Sequence, residues 1–191
     1  MASLGGHEEA IASYERALGL EAGDIAVWSN RGASLERLGD YAEAIASYDQ
    51  ILGLQPKDAS TWYRRGCALM QLQRGQEALA SFDQALALDP HRVNTWYRRG
   101  HVLAHLNQHS AAIDSYDQAL QLQPALAGAW YNRACCYALQ GNAEQAIIDL
   151  QEALNLDAQQ YCPLAQADSD FGRLRNDPRF QAILQAKDSA S

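Results

Sequence analysis

The sequence is poor in basic residues. Fifteen Lys and Arg residues stand against 23 Asp and Glu residues, so the 191-residue chain carries a formal net charge of −8. Binding a nucleic-acid backbone requires a surplus of positive charge on one face of a protein. Nucleic acid is therefore an unfavourable partner. Hydrophobic residues make up 48% of the chain, which is too apolar for intrinsic disorder and predicts one folded domain or a short array.

Targeting and membrane signals are also missing. Residues 1–10 contain no basic stretch followed by an apolar run, and no run along the chain is long and apolar enough to cross a membrane. Four cysteines are present without the Cys-x-x-Cys spacing of a metal site, which favours a reduced state. We therefore expect a cytoplasmic protein with no membrane insertion. The cysteines are Cys67, Cys135, Cys136 and Cys162.

Familiar catalytic motifs are lacking as well. The sequence has no Gly-x-Ser-x-Gly elbow, no glycine-rich loop that could cradle a phosphate and no dinucleotide fingerprint. These motifs need a strand before the loop, and no strand is expected here. We predict that the protein is not an enzyme and uses no cofactor.

What the sequence does contain is a repeat of 34 residues. It is marked by four tryptophans, at Trp28, Trp62, Trp96 and Trp130. Four positions later stands a small residue, at Gly32, Gly66, Gly100 and Ala134. Sixteen positions after each tryptophan stands an alanine, followed four residues later by a large apolar side chain, at Tyr48, Phe82, Tyr116 and Leu150.

Within each repeat the apolar residues recur at three- and four-residue steps, which indicates two amphipathic helices per unit. Breaks between the two helices are predicted at Gly39-Asp40, Arg74-Gly75 and Gly141-Asn142. One helix pair cannot bury its apolar face alone, so neighbouring pairs must stack. We place Trp62 and Trp96 in the cores between helices.

The pattern resembles the tetratricopeptide repeat over about four-fifths of the chain. The resemblance implies an all-α solenoid, a right-handed superhelix of antiparallel helix pairs. The family often has Leu where this chain repeats an arginine, and we expect the guanidinium groups to reach water while the aliphatic stems cover apolar surface. The four arginines are Arg31, Arg65, Arg99 and Arg133.

The repeat register divides the chain into six segments. Residues 1–24 match the second helix of a preceding unit, which suggests either a longer array or an end covered by another chain. In the last segment, Asn176 or Asp177 can cap a helix that begins at Pro178 and presents an apolar face. The other segments are repeats 25–58, 59–92, 93–126 and 127–160, followed by capping helices and a tail at 161–191.

In the family the first helix of each unit lines a concave groove, and the residues just after the tryptophan point into it. By this resemblance the groove carries tyrosines flanked by arginine and asparagine, a surface suited to an acidic or carboxylate-bearing peptide. We predict a protein interaction module that acts as scaffold, adaptor or assembly factor. The expected contact residues are Asn30, Tyr63, Arg64, Asn94, Tyr97, Arg98, His101, His105, Tyr131 and Asn132.

Two alternatives stay open. The chain ends could dock onto other copies and form a homo-oligomer. A metal- or thiol-dependent enzyme could use His101, His105 and Cys135, but the histidine spacing alone is a weak metal signal and Cys67 repeats the position of Cys135 in an earlier unit. We therefore assign no catalytic residue and no metal site.

Overall fold

The computed structural model describes residues 4–188, with the side chains of residues 6–186, and divides into two compact units, residues 1–91 and 92–191. The described residues of the first unit form five helices, and each helix packs against the next along the chain. They are α1 (Leu4–Leu20), α2 (Ile25–Leu38), α3 (Tyr41–Leu54), α4 (Ala59–Gln71) and α5 (Gly75–Leu88).

In the second unit, the part of the chain that the structure describes forms two further helix pairs and a terminal cap. Helix α8 (Ala127–Leu139) contacts α6 (Val93–His105), α7 (His109–Leu122) and α9 (Ala143–Leu156), and a 3₁₀ helix at Ser169–Leu174 packs on it. The predicted all-α solenoid class is confirmed, since the described residues form helices and no strand. The α-helices of this unit are α6 (Val93–His105), α7 (His109–Leu122), α8 (Ala127–Leu139), α9 (Ala143–Leu156), α10 (Ala158–Ala167) and α11 (Pro178–Asp188).

In the first three repeats, a glycine on the first helix of the pair packs against an aromatic ring on the second. A Cβ atom built on Gly66 would lie 2.5 Å from Cε1 of Phe82, and one on Gly32 would lie 2.7 Å from Cε1 of Tyr48. Both rings are fully buried. The absence of a side chain on the first helix therefore makes room for the ring.

The fourth repeat fills the same space differently. It pairs Ala134 with Leu150, both with no exposed surface, where the preceding repeat pairs Gly100 with Tyr116. The added methyl group and the smaller partner compensate each other in volume. Interiors are packed to crystal-like density, so the two positions of a pair must change together.

The tryptophans do not occupy the core, contrary to our expectation for Trp62 and Trp96. Both are half-buried. The indole Nε1 of Trp62 donates a hydrogen bond of 2.9 Å to the carbonyl oxygen of Pro56, and Trp130 makes the same contact to Pro124 at 2.8 Å. In these two repeats the tryptophan thus connects the preceding loop to the first helix of the unit.

The repeated arginines are bonded inside the protein, so the expectation that their guanidinium groups reach water was wrong. Arg65 Nη1 donates to the hydroxyl of Ser81 over 2.8 Å, and Arg99 makes the matching contact to Ser115 over 2.7 Å. Both serines are fully buried. Each guanidinium also lies about 6 Å from the ring of the tryptophan three residues earlier, a cation–π distance.

In the fourth repeat this contact becomes an ion pair. Arg133 forms two hydrogen bonds with Asp149, of 2.7 and 2.8 Å, and a third with Asp117. The Asp149 side chain is only 1% exposed. Asp149 occupies the repeat position that is a buried serine in the other repeats, so its carboxylate is buried as well.

The turns inside the helix pairs show why one predicted break was misplaced. Gly39 and Gly141 adopt left-handed backbone angles, with φ of 81° and 80°. In the two middle repeats the same position is Gln73 or Asn107, each with φ of 58°. Gly75, which we placed in the break, begins α5 instead. The left-handed turn residue of this repeat is Gln73 and not a glycine, so the nearby Gly75 gave a break that was placed too late in the sequence.

The terminal helix begins where the sequence predicted. Asp177 Oδ1 accepts the backbone N–H of Arg179 over 2.9 Å, and Pro178 is the first helical residue. Phe180 is buried, with its ring centre 5.5 Å from that of Phe171 in the 3₁₀ helix. The cap therefore covers the apolar surface of the last helix pair.

Candidate functional site

The first unit presents three of the expected contact residues. Asn30 on α2 and Arg64 on α4 are exposed, and Tyr63 is half-buried with its ring centre 6.0 Å from that of Phe82. Arg64 faces Glu36, a carboxylate that the sequence analysis did not include. Burial raises the pKa of Glu36 despite the nearby arginine. The positive charge of Arg64 is therefore partly offset within the unit.

The second unit offers an arginine without such a partner. Arg98 on α6 is exposed, and among the described residues no carboxylate forms an ion pair with it. Its guanidinium carbon lies 6.0 Å from the ring centre of Tyr97. Asn132 Nδ2, from α8, donates a hydrogen bond of 3.1 Å to the hydroxyl of Tyr97. Tyr97, Arg98 and Asn132 thus form one surface, with Asn94 exposed on the same helix α6.

Tyr131 belongs mainly to the interior. It is 7% exposed, and its ring centre lies 5.0 Å from that of Tyr161 and 5.8 Å from that of Phe171. Its hydroxyl donates a hydrogen bond of 2.8 Å to Asp168 Oδ2. The hydroxyl reaches the wall of a cavity, so Tyr131 contributes its polar tip to the site rather than an exposed ring.

The cavity has a volume of about 330 Å³ and lies between α6, α8 and the 3₁₀ helix. One wall is acidic and contains Asp168 and Asp170, close to the thiol of Cys135. Burial raises the pKa of Asp170, and the neighbouring Asp168 raises it further. Burial is also the main cause that raises the pKa of Cys135. Burial in this wall therefore disfavours the negatively charged forms of Asp170 and Cys135.

The opposite wall carries the predicted histidines. His101 is half-buried and His105 is exposed, and their ring centres lie 4.5 Å apart in an edge-on arrangement. Burial lowers the pKa of His101, and the nearby His105 and Arg98 lower it further. His109, at the start of α7, lines the same cavity.

The acidic wall was not among the site residues predicted from the sequence. Asp168 and Asp170 lie 33 and 35 residues after Cys135, in the segment where the repeat pattern fades. Repeat periodicity cannot place a residue outside the repeat. The one usable signal was Asp168 itself, because an aspartate before a short helix is a typical cap, and here its Oδ1 accepts the backbone N–H of Asp170 over 3.0 Å.

Three family models match the chain, each described as tetratricopeptide repeat. They match residues 25–58, 63–127 and 127–159, which together make up more than half of the sequence. The chain belongs to the tetratricopeptide repeat family. Among curated proteins, none matches the sequence.

Solved structures share the fold at low sequence identity. A crystal structure of MamA is 22% identical, with a TM-score of 0.78 over 82% of this chain and 92% of that one. A MamA structure from Desulfovibrio magneticus RS-1, residues 41 to the end, is also 22% identical, with a TM-score of 0.76 over 82% of this chain and 88% of that one. YrrB, described as a TPR protein with an unusual peptide-binding site, is 23% identical, with a TM-score of 0.76 over 86% of this chain and 85% of that one.

Family membership supports a protein interaction module as the class of protein. Tetratricopeptide repeat proteins are in general interaction modules without catalysis. Among residues 4–188, none of the helices has the length and apolar character needed to span a membrane. The chemistry of a partner must therefore be inferred from the side chains of the site.

Proposed function

We propose that this protein is a peptide-binding adaptor or scaffold, and that the surface formed by Tyr97, Arg98 and Asn132 binds an acidic or carboxylate-bearing segment of a partner protein. The observation that carries the proposal is the exposed guanidinium of Arg98, which lacks an ion-pair partner within the described chain. An arginine in this state can donate two parallel hydrogen bonds to a carboxylate.

The neighbouring groups support this assignment. Tyr97 provides apolar area with a polar tip, and its hydroxyl is held in place by Asn132. A tyrosine fixed in this way loses little conformational entropy when a peptide packs on it. The surface thus offers a rigid aromatic contact beside a positive charge.

The two arginines that the sequence placed in the groove are not equivalent. Arg64 has Glu36 beside it, whereas Arg98 has no such carboxylate within the described residues. A carboxylate approaching Arg64 would be repelled by Glu36 as well as attracted by the arginine. We therefore assign carboxylate recognition to Arg98 and place Arg64, Tyr63 and Asn30 in a secondary role.

The proposal can be tested with peptides selected from a random library displayed with free carboxyl termini. We expect selection by the wild-type chain to enrich Asp, Glu or a terminal carboxylate. The dissociation constant of a selected peptide, measured by fluorescence anisotropy, should rise about tenfold or more in Arg98→Gln, because a hydrogen bond to a charged group contributes about 1.5–3 kcal/mol. This loss should shrink at high salt.

Lys57 gives the matched control. It lies in the loop between α3 and α4 and is exposed, so Lys57→Gln removes one positive charge outside the proposed surface. Peptide affinity should be nearly unchanged in this variant. The proposal would be contradicted if the wild type, Arg98→Gln and Tyr97→Ala bound the selected peptides with equal affinity.

A further inference from the structure

We propose that the cavity of the second unit is a binding site for one zinc-like divalent metal ion, held by the thiolate of Cys135 and the carboxylates of Asp168 and Asp170. One ligand atom from each of these three residues lies within 4.8 Å of the others. Zinc bonds of about 2.0–2.3 Å in a tetrahedral arrangement place two ligand atoms roughly 3.3–3.8 Å apart. Small side-chain rotations would therefore bring all three onto one ion.

The protein orients these groups without an ion. Asp168 ends α10 and caps the 3₁₀ helix through its Oδ1, which accepts the backbone N–H of Asp170. Its Oδ2 accepts the hydroxyl of Tyr131 over 2.8 Å and lies 3.7 Å from the sulfur of Cys135. Hydrogen bonds of this kind behind a ligand fix its direction and raise the affinity of a metal site.

Imidazole nitrogens line the same cavity and can complete the coordination. Nδ1 of His101 and Nδ1 of His109 are buried, and neither has a hydrogen-bond partner among the described residues. Buried polar atoms are normally bonded, so an unbonded one in a cavity wall points to a missing partner. Both rings line the cavity that contains the acidic wall. We assign the fourth ligand to one of these two nitrogens.

The mixture of donors selects the kind of ion. Thiolate and imidazole ligands favour zinc and related transition metals, whereas calcium and magnesium prefer all-oxygen sites. On binding, the S–H bond of Cys135 would break, its proton would leave to solvent, and a sulfur–metal bond would form. A lysine side chain from a peptide could pair with the two carboxylates, but it would not use the thiol.

The test uses the full chain, expressed without a histidine tag and freed of metal by a chelator. Calorimetric titration should show one equivalent of Zn²⁺ bound. With Co²⁺ as a spectroscopic probe, a thiolate-to-cobalt charge-transfer band should appear in the near ultraviolet. Both signals should be lost, or the affinity weakened at least ~10-fold, in Cys135→Ser and in Asp170→Asn. Circular dichroism would verify that the variants are folded.

Cys67 provides the matched control, because it holds the position equivalent to Cys135 two repeats earlier, in the first unit. Cys67→Ser should bind Zn²⁺ and Co²⁺ like the wild type. The proposal is overturned if the wild type binds neither ion, or if it binds with no thiolate band. It is also overturned if Cys67→Ser and Cys135→Ser lose affinity equally. None of these results depends on peptide binding, so the two proposals can fail separately.

Discussion

At the scale of single residues, the core consists of matched small and large positions. Gly66 and Phe82 show this most clearly, because the ring lies where a Cβ atom would stand and has no exposed surface through which to move away. In the sequence, both positions recur with the 34-residue period of the repeat. The sequence does not show that they touch, since they are 16 residues apart on different helices.

Gly66→Ala should destabilise the protein by about 1–2 kcal/mol. Overpacking costs roughly 1–3 kcal/mol, and the better helix propensity of alanine offsets up to about 1 kcal/mol of this. In a Phe82→Leu background, which copies the pairing of Ala134 with Leu150, the same change should be neutral or stabilising. Chemical denaturation of the four proteins of this cycle measures the coupling.

Gly53 is the control for this cycle. It lies in α3 of the same unit, and a Cβ atom there would meet nothing within 4 Å. Gly53→Ala should stabilise by about 0.5–1 kcal/mol. If Gly66→Ala stabilised the protein as much as Gly53→Ala does, the close contact with Phe82 would make no contribution to the free energy of unfolding.

At the scale of elements, the terminal cap combines local contacts with contacts to helices earlier in the chain. The 3₁₀ helix and α11 bring Phe171 and Phe180 together, and Phe171 also packs against Tyr131 of α8. Because Asp168 precedes the 3₁₀ helix, the same cap positions the acidic wall of the cavity. The cap therefore links the stability of the last helix pair to the geometry of the site.

Phe180→Ala should destabilise the second unit by about 3–5 kcal/mol, the usual cost of removing a buried ring. Hydrogen exchange followed by mass spectrometry should show α9 and α10 losing protection while α2 to α4 keep theirs. Leu164→Ala serves as the control, because Leu164 on α10 is 46% exposed and its truncation should cost less than about 1 kcal/mol. Unchanged protection of α9 in Phe180→Ala would contradict this role of the cap.

At the scale of the whole molecule, each helix is stabilised mainly by its neighbours, as in other repeat proteins. Helix α1 packs on α2, and among its described side chains Leu18 is buried, whereas Leu20 is 93% exposed. Helix α4 packs against both α3 and α5. Stability should therefore rise from α1 towards α4 within the first unit.

Backbone amides of α1 should exchange with solvent faster than those of α4, because local opening of α1 breaks fewer apolar contacts. Native-state hydrogen exchange at low protein concentration measures this difference. Equal protection of α1 and α4 at low concentration would contradict the prediction. Protection of α1 that grows with protein concentration would show that another copy covers it, as the homo-oligomer alternative expects.

The sequence by itself determined the all-α repeat class. A 34-residue period of large and small residues specifies helix pairs that must stack, whatever their surroundings, since amphipathic periodicity and burial act locally and repeatedly. It also indicated the capping helix, because Asp177 and Pro178 act through neighbouring backbone groups. These features depend on residues that are close together along the chain.

Only the tertiary structure decided the chemistry of the sites. It showed that Glu36 accompanies Arg64, that Arg98 stays unpaired within the described chain, and that Asp168 and Asp170 meet Cys135. The physical reason is that charge effects and metal coordination depend on distance in space. The folded cap brings together groups more than 30 residues apart, and no repeat pattern encodes that contact.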